Sequence, residues 1–329
     1  MSIIIKALNE ERRIAACIES ALRACEGLQA EVILVDSLSD DRTVSIASAY
    51  PIRILQFAHR EDRCCGAAVE LGWRHSVGDY VYLLDADMRL EPGFLEHAIS
   101  FLVQHPDVAG VAGKLMDTRA LNATDIQRLQ NAKGQTKQTV ETELGGGGLY
   151  KRSAIKRVGY LAHQSLRAYE EAELGFRLRT SGFRLVRLAD ISVYHEGHDE
   201  SNFHLMRRVW RNGRLMAATV MLKTAVGRPW FKLVLQKLKH LLSTLGLQIL
   251  SLAVVAYFVA THSYIRAFVA FGGIWSAVFA LLVLKHKSVA LAAWRIIFWN
   301  FSVLALIMGL RVAVRDPLAP IESKILSDF

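Results

Sequence analysis

Hydrophobic positions along the first two hundred residues fall into short, almost unbroken runs separated by amphipathic stretches. Ser2–Lys6, Glu31–Asp36 (EVILVD), Ile52–Phe57 and Tyr80–Leu84 (YVYLL) read as strands. A helix is expected to open near Asn9, a good N-cap, with Glu10 and Glu11 in its first turn. Arg42–Tyr50 and Gly66–His75 read as further helices. Strands this apolar, alternating with helices, imply an α/β fold: a mostly parallel sheet with helices on both faces. Ligands on such sheets collect beyond the carboxyl ends of the strands, which directs attention to Asn9, Asp36, Asp85 and Asp87.

After Pro92 the pattern predicts a helix to about His105 and a strand near Val108–Gly113. A polar helical stretch, Thr124–Glu143, leads into Gly145–Gly148. A strand through Tyr150, a helix over Glu170–Thr180 and strands at Phe183–Leu188 and Ile191–His195 follow. The character then changes. Phe203–Lys223 is helical and basic, carrying Arg207, Arg208, Arg211, Arg214 and Lys223 among apolar residues. It reads either as a helix with an ordinary solvated face or as one that lies on anionic lipid or reaches a diphosphate.

Leu241–Ala260, Ile265–Leu284 and Val289–Leu310 are each long and apolar enough to cross a bilayer. The first two, joined by Thr261–Tyr264, must form a hairpin. The third contains Arg295 and Asn300, so it either spans or lies at the interface with Arg295 snorkelling. Arg228, Lys232, Lys237 and Lys239 precede the first span, and Lys285 and Lys287 follow the second. The excess of basic residues on that side puts residues 1–240 at the cytoplasmic face of the inner (plasma) membrane. The expected division is a catalytic domain over 1–200, basic interfacial helices over 201–240, two or three transmembrane helices over 241–312, and a tail over 313–329.

Composition agrees with a soluble domain joined to membrane segments: 52% hydrophobic residues coexist with 22% charged ones among 329. The net charge of +9 calls for an anionic partner, either a nucleotide diphosphate, an acidic lipid surface or a nucleic acid. No stacking or helix-turn-helix pattern supports the last, so no nucleic acid is expected. Cys17, Cys25, Cys64 and Cys65 form no C-x-x-C pair and read as reduced thiols. The apolar run Ser2–Ile5 is too short for the core of a secretion signal.

The strongest local chemistry is Leu83-Leu84-Asp85-Ala86-Asp87-Met88, two carboxylates just past a strand. Such a pair can hold a hard divalent cation that bridges substrate phosphates, or merely cap the next helix. Three further segments stand in one order. Ile4-Ile5-Lys6-Ala7-Leu8-Asn9-Glu10-Glu11, Val35-Asp36-Ser37-Leu38-Ser39-Asp40-Asp41 and Glu170-Glu171-Ala172-Glu173-Leu174-Gly175-Phe176-Arg177-Leu178 bracket the D-x-D. In this the chain resembles the family-2 glycosyltransferases with the GT-A fold over roughly residues 2–200. Many relatives have proline where Lys6 stands and a second acidic residue where Ser37 stands.

The resemblance implies a nucleotide-sugar donor, with a lean towards UDP, held by Ala7, Asn9, Glu10, Asp36 and Asp85. It implies Mg²⁺ or Mn²⁺ on Asp87 and Asp85, with His195 as a third contact and Arg208 and Arg211 neutralising diphosphate. His198 lies near His195 in the sequence, but no complementary Cys or carboxylate motif suggests zinc. The position matching the family's catalytic aspartate is Glu171, with Glu170 as the alternative base. Gly145–Gly148 matches a glycine pair that lets backbone approach a sugar. The Q-x-x-R-W motif of processive synthases is absent from the sequence, so transfer of one sugar with inversion is expected. The hydrophobic helices suggest a polyprenyl-linked or other membrane acceptor in cell-surface polysaccharide assembly. The alternatives are a polyprenyl-phosphate monosaccharide synthase and a non-catalytic scaffold. A nucleotidyltransferase is disfavoured, because the glycine-rich basic loop expected after Ile5 is missing.

Overall fold

A computed structural model describes residues 1–119, 123–196 and 202–329. The first compact unit holds Met1–Leu205, Gly227–Trp230 and Ala313–Phe329. Its opening half follows the apolar pattern closely: β1 (Ser2–Ala7), α1 (Ile14–Ala24), β2 (Glu31–Asp36), α2 (Thr43–Ala47), β3 (Arg53–Phe57), α3 (Cys65–His75) and β4 (Tyr80–Asp85). β3, β2, β1 and β4 lie side by side and parallel. Their central residues are almost wholly buried, Ile3, Ile5, Leu34 and Leu84 against one layer of helices and Ile4, Ile33, Val35 and Leu83 against the other. Period-two alternation splits each strand between two apolar cores, as a doubly covered sheet requires.

The remaining elements are β5 (Met88–Leu90), α4 (Phe94–Gln104), β6 (Val108–Asp117), α5 (Ala123–Gly134), β7 (Thr139–Glu141), β8 (Gly148–Lys151), α6 (Arg152–Val158), α7 (Glu170–Thr180) and β9 (Arg184–His195). Here the sheet is mixed. β8 runs antiparallel between β4 and β6, and β5 and β7 pair antiparallel with β9. Only β6 and β9 remain parallel. The strands expected at Phe183–Leu188 and Ile191–His195 are one strand, and the interruption at Ala189 and Asp190 is a register shift against β6.

Two elements depart from expectation. The helix anticipated at Asn9 begins only at Ile14, and Asn9 takes a left-handed backbone with φ of 58°. Its backbone N–H donates to Ser39 Oγ at 2.9 Å, and its side-chain oxygen accepts from Asp40 N–H at 2.8 Å. Asparagine tolerates that conformation, and tying two loops together replaces the N-cap role. The polar stretch after Thr124 is helical only to Gly134, beyond which β-branched Thr139 and Val140 join β9 as β7.

The second unit, Met206–Val226 and Phe231–Val312, takes over within α8 (Asn202–Arg211) and continues through α9 (Ala217–Ala225), α10 (Phe231–Lys237), α11 (Lys239–Ala260), α12 (Tyr264–His286) and α13 (Val289–Gly309). The last three have 22, 23 and 21 residues and are apolar enough to cross a membrane. Finally β10 (Ser323–Ser327) returns to the sheet, antiparallel to β3 at its edge.

Candidate active site

The site is assembled at the carboxyl ends of β1, β2, β4, β6 and β9. In-register pairing sets Lys6 beside both Val35 and Asp85. Lys6 Nζ lies 3.1 Å from Asp85 Oδ1 and donates to Glu170 Oε1 at 2.9 Å. Burial alone would lower the Lys6 pKa, but Asp85 and Glu170 hold it well above the ordinary value. Glu170 therefore stands at the start of α7 as the partner of an ammonium ion. Glu171, one residue on, is different. Burial first, then the neighbouring carboxylates of Glu170 and Asp85, outweigh Lys6 and raise its pKa to about 8. Its Oε2 accepts from Tyr150 Oη at 3.3 Å. The two adjacent carboxylates thus differ in surroundings: Glu170 is paired with an ammonium, and Glu171 is the one whose proton affinity is raised.

A second cluster surrounds Asp87, in the turn between β4 and β5. The β5–β9 ladder places Met88 opposite His195, and the β6–β9 ladder places Asp117 opposite the same residue. His195 consequently lies between two carboxylates, with Nε2 3.2 Å from Asp87 Oδ2 and Nδ1 2.6 Å from Asp117 Oδ1. Burial lowers its proton affinity, yet the bonds to Asp87 and Asp117 leave the pKa raised overall. Asp117 is itself buried and gripped by the Arg128 guanidinium through both oxygens. Arg13 NH1 sits 3.7 Å from Asp87 Oδ2 and 3.6 Å from Glu10 Oε2. Burial, partly offset by Arg13, raises Glu10 to about 7, with Asp87 and Asp85 adding to the rise.

The other expected donor contacts occupy the loops after β1 and β2. The Ala7 carbonyl accepts from Ser37 N–H at 2.9 Å, and Glu10 N–H donates to Thr43 Oγ1 at 2.7 Å. Asp36 is fully buried. Its oxygens accept from Ser39 N–H, Ser39 Oγ and Gln56 Nε2, so here it caps its own turn. Gly146 packs so closely on β5 that an added Cβ would lie 2.5 Å from Met88 Cε, with Asp85 Oδ2 at 3.7 Å. Arg208 and Arg211 lie on α8 in the second unit. His198 is outside the described residues.

Four contributors escaped the sequence reading as site residues: Asp117, Arg128, Arg13 and Tyr150. Asp117 ends a strand as Asp36 and Asp85 do, and the same positional rule would have found it. On the buried face of α7, Glu173 and Arg177 form a wholly buried ion pair at 2.8 Å. Arg177 also donates to the carbonyls of Val158, Tyr160 and Leu161, which fixes the chain leading into α7.

Among the described residues no three candidate ligands converge as a preformed metal cage. The donor chemistry nevertheless fits a small divalent ion. Such ions take one or two carboxylates and complete their shell with substrate phosphates and water. Asp87 Oδ2 and His195 Nε2 face one another, with Asp85 at the adjacent strand end, and the orienting bond from His195 Nδ1 to Asp117 is the usual support for a ligating imidazole.

The mixed α/β sheet has the fold of the GT-A glycosyltransferases, and three apolar helices follow it. Residues 2–159 match the model of Glycosyl transferase family 2. It is similar to an undecaprenyl-phosphate 4-deoxy-4-formamido-L-arabinose transferase from Pectobacterium carotovorum, at 32% identity over 33% of this chain and 36% of that protein. The match thus spans about a third of that relative's length. The fold is shared with a mannosyltransferase from Pyrobaculum calidifontis solved with GDP-Man and Mn2+, at TM-score 0.56 and 17% identity over 94% of this chain and 86% of the other. TarS 1-349 from S. aureus, solved with UDP-GlcNAc, gives a TM-score of 0.52 and 17% identity over 94% of this chain and 91% of its own.

Proposed function

We propose that the protein is a metal-dependent inverting glycosyltransferase that moves a single sugar from a nucleotide-sugar to a lipid-linked acceptor at the cytoplasmic face of the membrane. The observation that carries this reading is the strand-end constellation of Asp85, Asp87 and His195 beside Glu171. Asp87 and His195, with Asp85, would hold Mg²⁺ or Mn²⁺, and a bound cation there neutralises charge on the departing nucleotide diphosphate. Asp117 and Arg128 keep the His195 ring in place. Loop residues Asn9, Glu10 and Asp36 frame the nucleotide, and Asp36 would have to release its turn contacts to meet the donor directly.

The acceptor hydroxyl attacks the anomeric carbon as the bond to the diphosphate oxygen breaks, and Glu171 takes the hydroxyl proton. The high proton affinity of Glu171 suits a general base, whereas Glu170, bound to Lys6, serves to hold that lysine. The relative acting on undecaprenyl phosphate supports a second acceptor, a bare polyprenyl phosphate. A phosphate oxygen carries no proton at neutral pH, so that reaction has no need of Glu171.

The two acceptors are separated by one experiment. Membranes containing the protein are given labelled nucleotide-sugars with Mn²⁺, alongside a Glu171→Gln variant. Loss of label from the organic extract in the variant supports a hydroxyl acceptor. Retained label in an acid-labile monosaccharide lipid supports the polyprenyl phosphate. No label with any donor, with lipid acceptors present, contradicts both.

A further inference from the structure

After leaving the catalytic sheet for the apolar helices, the chain comes back to it. β10 pairs with β3 through Ser323↔Phe57, Lys324↔Gln56 and Ile325↔Leu55. The approach to β10 is tied down as well. Arg315 N–H donates to Ser165 Oγ at 3.0 Å, and Arg74 donates to the carbonyls of Pro317 and Ala319 at 2.9 and 2.8 Å. On the entry side, Gly227–Trp230 also belongs to the catalytic unit. Strand pairing cannot operate across a hydrocarbon core about 30 Å thick. The chain between residues 230 and 313 must therefore cross the bilayer an even number of times. It contains three helices long enough to do so.

Charge and packing identify the helix that stays. α11 and α12 are joined by uncharged Thr261–Ser263, and their other ends carry Lys237 and Lys239, and Lys285 and Lys287. That is a hairpin with both basic ends on one side. α13 is basic beyond both of its ends, with Lys287 before it and Arg311 and Arg315 after it, and contains Arg295 and Asn300. Its carboxyl end is bonded to α9: Thr219 Oγ1 donates to Leu306 O at 2.6 Å, and Lys223 Nζ donates to Leu310 O and Val312 O at 3.0 and 2.7 Å. Gly309 is seated so tightly that a Cβ would fall 2.6 Å from Thr219 Oγ1. Between the catalytic unit and α9 the chain has no apolar segment long enough to cross, so α9 and the end of α13 bonded to it share that unit's side. Opposite this packed face, Ile297, Phe301, Leu304 and Met308 recur at helical spacing and are 40–49% exposed.

We infer that α13 does not cross the membrane but lies in the plane of the cytoplasmic leaflet, with Ile297, Phe301, Leu304 and Met308 against the acyl chains of its lipids. This rests on the reading that α11 and α12 span, and the test keeps the two apart. His262→Cys and Arg311→Cys are made separately in the full chain and treated in intact cells with a membrane-impermeant maleimide. Labelled sites are read by peptide mass spectrometry, and native, partly exposed Cys25 reports the side of the catalytic unit. Labelling of His262→Cys in intact cells, with Arg311→Cys and Cys25 protected until the membrane is opened, is expected. Labelling of Arg311→Cys from the side opposite Cys25 would overturn the inference. Labelling of His262→Cys only together with Cys25 would overturn the crossing of the hairpin itself. A photoactivatable lipid reactive near the headgroup end of its acyl chain should mark the stripe from Ile297 to Met308, and an unmarked stripe would exclude the lipid contact.

Discussion

Lys6, at the end of the first strand, donates its ammonium to Glu170 Oε1 at 2.9 Å, joining residues 164 positions apart in the chain. The same ammonium stands beside Asp85 and restrains the pKa of Glu171, so it couples the proposed donor contact to the proposed base. Replacing Lys6 with Met removes the one contribution named as lowering the Glu171 pKa besides the Tyr150 hydrogen bond. The acid limb of the transfer pH profile should then move above its wild-type position. The loss of a partner for a nearly buried carboxylate should also lower the melting temperature. Lys6→Arg should recover part of both, and an unmoved pH limb in Lys6→Met would show that the charge does not reach Glu171.

The wild-type pH profile carries its own expectation. Glu171 accepts a proton only as the carboxylate, and its pKa of about 8 leaves that form in the minority at neutral pH. With a hydroxyl acceptor, kcat/KM should rise with pH and level off above about 8. Glu171→Gln should lose about 10²–10⁴-fold in rate together with that limb. A flat profile from pH 6 to 9 in the wild type would argue for an acceptor that needs no base.

Much of this site was legible in the sequence because its carboxylates stand immediately after apolar runs, where the parallel half of the sheet must present them. Asp85 and Asp87 stood out at a strand end, whereas Glu171 was singled out only through the family resemblance of its helix start. His195 and Asp117 could not be joined in advance, because they meet through the β6–β9 ladder, 78 residues apart in the chain. The hydrogen bonds of Asn9 and Asp36 stayed hidden for a related reason. Their partners, Ser39 with Asp40 and Ser39 with Gln56, show only when two loops are seen side by side. β10 escaped entirely, since Ser323–Ser327 is short, half polar and paired with a strand some 270 residues earlier.

Asp117 touches neither donor nor acceptor in this account and acts by orienting His195. Asp117→Asn should weaken Mn²⁺ affinity about 10–100-fold, the usual cost of losing a supporting partner of a metal ligand. Titrating Mn²⁺ into the transfer assay separates this from a simple loss of folded protein. A raised Mn²⁺ requirement with unchanged maximal rate is expected, and an unchanged requirement would leave Asp117 a purely structural residue.

Glu173 and Arg177 lie on the buried face of α7, paired with one another. Arg177→Met strands the Glu173 carboxylate in the core and frees three carbonyls, at a cost of about 3–5 kcal/mol. Thermal unfolding should reveal a large drop in stability for this variant. The double variant Glu173→Gln/Arg177→Met should lose less than the sum of its single changes, because no buried charge remains.

Asp87 is the residue that both His195 and Arg13 approach and the proposed metal ligand, so its removal tests the proposed reaction most directly. Sugar transfer from labelled nucleotide-sugars should be measured in membranes carrying either the wild-type protein or Asp87→Ala, with and without Mn²⁺. Metal-dependent label in the organic extract, lower by about 10³-fold in a variant that remains folded, is the predicted result. Equal transfer by the folded variant would contradict the account.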